Sequence, residues 1–131
     1  MKTEPEILEE LGRLRARVPG VTGALAASAD GLVLAQDGAG EGAEGVAALT
    51  AAALGVALRL TDATGRGSFR ELLARGDRGY VATYAAGTAT VVTVLAGPRT
   101  NVGRLHLEAR RSGARIGEMV DGALERPEQG G

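Results

Sequence analysis

Residues 68–96 read SFRELLARGDRGYVATYAAGTATVVTVLA, and this stretch decides the fold. Three strand-like runs lie in it, Ser68–Arg75, Tyr80–Ala85 and Thr88–Ala96, separated only by Gly76-Asp77-Arg78-Gly79 and by Ala86-Gly87. Connectors this short make neighbouring strands antiparallel, because a parallel return needs a crossover of a dozen or more residues. In the last run both alternating sets, Ala89, Val91, Thr93, Leu95 and Thr90, Val92, Val94, Ala96, are largely apolar. The sheet is therefore expected to be covered on both faces. The first run opens the meander, so one of its edges lacks a neighbour unless another strand joins there. An exposed edge carrying Phe69, Leu72 and Leu73 would invite aggregation, which pairing with a symmetry mate would remove.

Working upstream, Ala43–Thr64 has few polar residues before Arg59 and Asp62 and reads as a long helix, apolar on nearly every side. Such a helix must be covered on more than one face, by a deep core or by another subunit. Before it, a Gly-rich loop spans Asp37–Gly42, and Val21–Ser28 and Leu32–Gln36 flank Ala29-Asp30-Gly31, the pattern of a β-hairpin in which Gly31 supplies a positive φ. Ile7, Leu11, Leu14 and Val18 recur at helical spacing, with Glu9, Glu10, Arg13, Arg15 and Arg17 on the other faces. Thr3 with Glu6 forms a capping-box pattern and Pro19-Gly20 a stop. Downstream, Gly97-Pro98-Arg99-Thr100 leads into a last helix over Asn101–Leu124, whose seam is Val102, Leu105, Ala109, Ser112, Ile116, Met119 and Ala123. The order α-β-β-α-β-β-β-α predicts an α+β domain over residues 1–126, one five-stranded antiparallel sheet with helices on both faces, and a disordered tail at 127–131.

Composition narrows the chemistry. The 131 residues contain no cysteine and a single histidine, His106, which excludes disulfides, thiolate nucleophiles, sulfur-ligated zinc and multi-histidine metal sites. Fifteen basic residues against sixteen acidic ones leave no field that would attract nucleic acid. Met1–Glu10 carries glutamates and no apolar run, unlike a secretory signal, and the apolar stretch Gly45–Leu58 is short for a bilayer and mostly Ala and Gly. No membrane insertion and a cytoplasmic location are expected. With only Phe69, Tyr80 and Tyr84 as aromatics the core is thin, so burial against a partner subunit would help.

The motifs that suggest catalysis do not carry it. Gly40-Glu41-Gly42-Ala43-Glu44-Gly45 fits the spacing of a dinucleotide fingerprint, but Glu41 and Glu44 would face the pyrophosphate, and the meander that follows is wrong for a βαβ unit. Gly65-Arg66-Gly67-Ser68 lacks the lysine of a phosphate loop and reads as a helix stop. His106 lies beside Leu105 and Leu107 on a helix with no obvious acidic orienter, and Arg104, Arg110, Arg111 and Arg115, interspersed with Glu108 and Glu118, read as a solvated helix face. No catalytic residue, metal or cofactor is expected, and a binding module is favoured over an enzyme.

The first helix with Val18-Pro19-Gly20-Val21, the hairpin with Ser28-Ala29-Asp30-Gly31-Leu32, and the closing Asn101-Val102-Gly103-Arg104-Leu105 through Ile116-Gly117-Glu118 together resemble the roadblock domain family, which includes dynein light chains of roadblock type. The resemblance runs from about Ile7 to Val120 and is nearest to bacterial members. It implies a sheet between the long middle helix and the terminal helices, and homodimers or heterodimers with a paralogous chain that meet through the third strand and the middle helix. It also implies a scaffold for, or regulator of, a Ras-like small GTPase, in bacteria often encoded beside it. The small residues Ala48, Ala52 and Gly55, at i, i+4 and i+7, and the strand residues Phe69, Glu71 and Leu73 are the expected dimer interface, with Arg59 and Asp62 a polar rim for the partner. The alternatives are a PAS-like or profilin-like ligand sensor, or a structural subunit of a larger complex without a GTPase.

Overall fold

The computed structural model describes residues 3–125. Its elements are α1 (Thr3–Arg17), β1 (Val21–Ser28), β2 (Val33–Asp37), α2 (Ala43–Ala63), β3 (Glu71–Gly76), β4 (Gly79–Ala86), β5 (Thr90–Ala96) and α3 (Val102–Glu125), with one 3-10 turn at Gly40–Gly42 leading into α2. The order is the expected one, and the five strands form a single antiparallel sheet in the order β2-β1-β5-β4-β3. The expected tail at 127–131 lies outside the described residues.

Central placement explains the two-sided apolarity of β5. Val92 and Val94 join Ile7, Leu11, Leu14, Tyr84, Leu105 and Ile116 in a core beneath α1 and α3, while Val91 joins Leu25, Ala47, Leu54, Ala57 and Phe69 beneath α2. Two of the three hairpin turns, β1–β2 and β4–β5, rest on glycines with positive φ, Gly31 at 98° and Gly87 at 76°, a region open to glycine without a Cβ clash. Gly87 also meets Gly117 of α3 so closely that a Cβ on Gly117 would lie 2.5 Å from the Gly87 nitrogen. Asp121, one turn further along α3, accepts a 3.0 Å hydrogen bond from the Thr88 hydroxyl and so fixes that turn to the helix.

Several expectations need correction. Thr3 is already helical and buried rather than the residue capping α1. Ser68–Arg70 precede β3, and Phe69 does not stand on an exposed edge: its ring is buried under α2 in the second core. Coverage of the sheet is unequal, because α2 packs mainly over β1 and β2 and leaves Leu72 of β3 and Val81 of β4 exposed. By length and hydropathy alone the segment Gly40–Ala63 could cross a bilayer, a longer span than the apolar stretch read from sequence; here one side of it packs on the sheet. Glu10, expected on an outer face, is 1% exposed. Its Oε2 accepts hydrogen bonds from Ser112 Oγ at 2.7 Å and Arg115 Nη1 at 3.2 Å, and its Oε1 from Arg13 Nε at 3.3 Å. Burial pushes the Glu10 carboxyl up, but these donors and the Arg115 charge outweigh it and hold its pKa below the ordinary value.

Candidate functional site

Helical geometry sorts α2 into two sides. Ala43, Ala47, Thr50, Leu54 and Ala57 are buried, and the opposite side turns Ala48, Ala52, Gly55 and Arg59 to solvent. These four recur at i, i+4, i+7 and i+11, and Asp62 continues the row three residues on, so the expected small-residue seam and its polar end form one stripe. Beside it runs a second row, Leu49, Val56 and Leu60, with 74%, 61% and 60% of their surfaces exposed. Exposed branched side chains in such a row are a large apolar surface that nothing among the described residues covers. The seven-residue step from Leu49 to Val56 and the four to Leu60 are present in the sequence, but the alanines around them mask the row.

The uncovered part of the sheet continues this surface. Val46, Leu49 and Ala53 of α2 face Leu72, Val81 and Leu95 across an apolar groove of about 220 Å³. Of the strand residues expected at the interface, Glu71 and Leu73 are half-buried and lie on the opposite face of the sheet, toward α1 and α3, where Leu73 packs against the core. Leu72, not named among them, lies on the α2 side of β3 together with Ala74.

On that opposite face a polar cluster ties β3 to α3. Arg110 donates through Nε to Glu71 Oε1 at 2.8 Å and through Nη2 to Oε2, a bidentate pair. His106 Nδ1 lies 2.7 Å from the Tyr84 hydroxyl and 3.6 Å from Glu71 Oε2, so the histidine does have an orienter, brought from two strands. The Arg110 guanidinium holds the Glu71 carboxyl below the usual carboxylate range, and burial, reinforced by the Glu71 charge, pushes the Tyr84 phenol well above its ordinary value. The cluster borders an open cleft of about 740 Å³ lined by Phe69, Arg70, Glu71, Tyr84 and Arg110. Its charges satisfy one another, so it braces the strand and presents no activated nucleophile. The α3 arginines Arg104, Arg110, Arg111 and Arg115 are exposed, as read from the sequence, and two of them also hold helices together: Arg115 pairs with Glu10, and Arg104 Nε donates to the Arg17 carbonyl at 2.8 Å.

The Roadblock/LC7 domain family model matches residues 7–96, ending with β5. The solved Roadblock/LC7 domain from Streptomyces avermitilis is 27% identical, with a TM-score of 0.78 over 90% of this chain and 97% of that one. MglB in a tetrameric arrangement superposes with a TM-score of 0.87 at 19% identity, over 95% of this chain and 94% of that chain. The gliding protein MglB from Thermus thermophilus gives 0.85 at 19% identity, over 94% of each chain. At 19% identity the two MglB structures speak for the fold alone, α3 included. No curated protein sequence matches the chain.

Proposed function

We propose, because the chain belongs to the Roadblock/LC7 domain family, that it is a dimeric, non-catalytic adaptor or regulator of a Ras-like small GTPase, working in the cytoplasm. The observation that carries this reading is the unpartnered outer side of α2, where Leu49, Val56 and Leu60 stand exposed beside a seam of small residues. Two copies of this helix, side by side across Ala48, Ala52 and Gly55, would cover that surface, and the small side chains let the backbones approach. The partner is a second copy or a paralogous chain. Arg59 and Asp62 then form the charged end of an apolar platform, and a two-fold platform takes one GTPase asymmetrically, two chains to one partner.

Light scattering at micromolar concentration should give twice the 13.3 kDa chain mass. Gly55→Leu, at a position where an added Cβ meets nothing within the subunit, should weaken the dimer without unfolding the chain. Calorimetry with Ras-like small GTPases of the same organism should detect binding that Arg59→Glu reduces while the dimer persists. A folded monomer at high micromolar concentration would sink the dimeric part, and tight binding of GTP or NAD by the isolated chain would overturn the adaptor reading.

A further inference from the structure

The open edge of β3 carries charges that complement their own symmetry mates, and from them we infer the register in which two copies meet, an inference that rests on the dimer proposed above. The β3–β4 hairpin fixes which backbone groups are free. Its register pairs Glu71 with Tyr84, Leu72 with Thr83 and Leu73 with Ala82, and the Ala85 N–H donates to the Arg70 carbonyl at 2.9 Å. In an antiparallel ladder such bonded pairs recur every second residue, so Arg70, Leu72 and Ala74 turn their N–H and C=O groups toward β4. Glu71, Leu73 and Arg75 turn theirs to the open edge.

A two-fold axis makes two β3 strands antiparallel and sets outward residue against outward residue, which leaves centres at residues 71 to 75. Centring on Glu71 or on Arg75 puts like charges directly opposite each other, which is destabilising. Centring on Leu72 or Ala74 sets Leu73 against one of the charged residues and leaves the charges unmatched. Centring on Leu73 places Glu71 opposite Arg75 of the second copy twice over, Leu73 against itself, and Leu72 opposite Ala74 on the α2 side.

Side-chain placement agrees with this register. Arg75 lies over the Tyr80 ring, 6.0 Å from its centroid, and Tyr80 packs against the core under α1 and α3, the face on which Glu71 meets Arg110. Glu71 is already held by Arg110, and a carboxylate engaged by one bidentate arginine keeps lone pairs for a second. The acceptor is thus positioned before the second copy arrives, and the pair favours the chain's own copy over a paralogue that lacks either charge.

Because the chain has no cysteine, the register can be read by cross-linking single-cysteine variants Leu72→Cys, Leu73→Cys and Ala74→Cys with dibromobimane. Cross-linking fastest for Leu73→Cys is expected. Fastest reaction at position 72 or 74 in a chain still dimeric by light scattering overturns the register and leaves the dimer standing, whereas a monomeric wild-type chain overturns the dimer and the register with it. Arg75→Glu, on an exposed side chain, should raise the dimer dissociation constant roughly tenfold, and Arg75→Lys by no more than about threefold. A dimer indifferent to Arg75→Glu would refute the charge pairing.

Discussion

Ser112 Oγ donates a 2.7 Å hydrogen bond to Glu10 Oε2, joining α1 to α3 across 102 positions of the chain. Three arginines, Arg13, Arg17 and Arg115, also approach the same carboxylate within 4 Å. Removing one member of a buried charged cluster leaves its neighbours without compensation. Glu10→Ala is expected to lower unfolding free energy by about 2–4 kcal/mol and Ser112→Ala by about 1–2 kcal/mol. Their double variant should cost less than the sum, since both remove one contact. Urea titration of the set measures this, and strict additivity would show that the two side chains act separately.

Acid should expose the same contacts. The Glu10 and Glu71 carboxyls are held below the ordinary value of 4.5, so their stabilisation is complete above it and is lost as pH falls through the depressed folded values. The urea midpoint should therefore be flat near neutrality and drop below about pH 4.5, and Glu10→Gln should flatten that drop. An acid limb unchanged in Glu10→Gln would assign the loss to other groups.

Two helical glycines should respond in opposite directions. A Cβ on Gly117 would lie 2.7 Å from the Ala86 carbonyl carbon and 2.5 Å from the Gly87 nitrogen, backbone atoms that cannot swing aside. Gly117→Ala should destabilise by about 2 kcal/mol or more despite alanine's better helix propensity. Gly122 of α3 has open space around it, so Gly122→Ala should raise stability by up to about 1 kcal/mol. Thermal unfolding compares the pair, and a stabilising Gly117→Ala would contradict the close approach of α3 to the β4–β5 turn.

Buried between β4 and β5, the hydroxyls of Thr83 and Thr93 share a 3.0 Å hydrogen bond. Thr93→Val alone strands the Thr83 hydroxyl and should cost about 1–2 kcal/mol, while Thr83→Val with Thr93→Val should recover most of it, because two apolar partners leave nothing unsatisfied. A double variant weaker than either single one would show that the threonines matter for shape instead.

The sheet and its helices were legible because the apolar periodicities of β5 and α3 and the glycines at Gly31 and Gly87 are local signals. The ladder order, with β1 beside β5, depends on how distant strands meet, and no local pattern carries it. Glu10 illustrates the boundary. Its charge assigns it to an outer face of α1, although it sits three residues after Ile7 and just before Leu11, whereas Ser112 belongs to the α3 seam; that the two meet each other could be seen only once the helices were side by side. The Glu71–Arg110–His106–Tyr84 cluster escaped for the same reason, since its members come from three elements. Leu49, Val56 and Leu60 were hidden by composition, because a helix apolar all round does not announce which side the subunit leaves bare.

The pairing of the first helix with the last also dictates an order of events during synthesis. β1, β2 and α2 are consecutive, so α2 can settle on the hairpin as soon as it leaves the ribosome. The other face has no such option: Ile7, Leu11 and Leu14 are made before any of the five strands, and Leu105, Ala109 and Ile116, which complete their enclosure, come only after all of them. While the strands are being made α1 therefore has its apolar stripe without the helix that closes over it, an exposed surface of the kind that favours aggregation until α3 emerges.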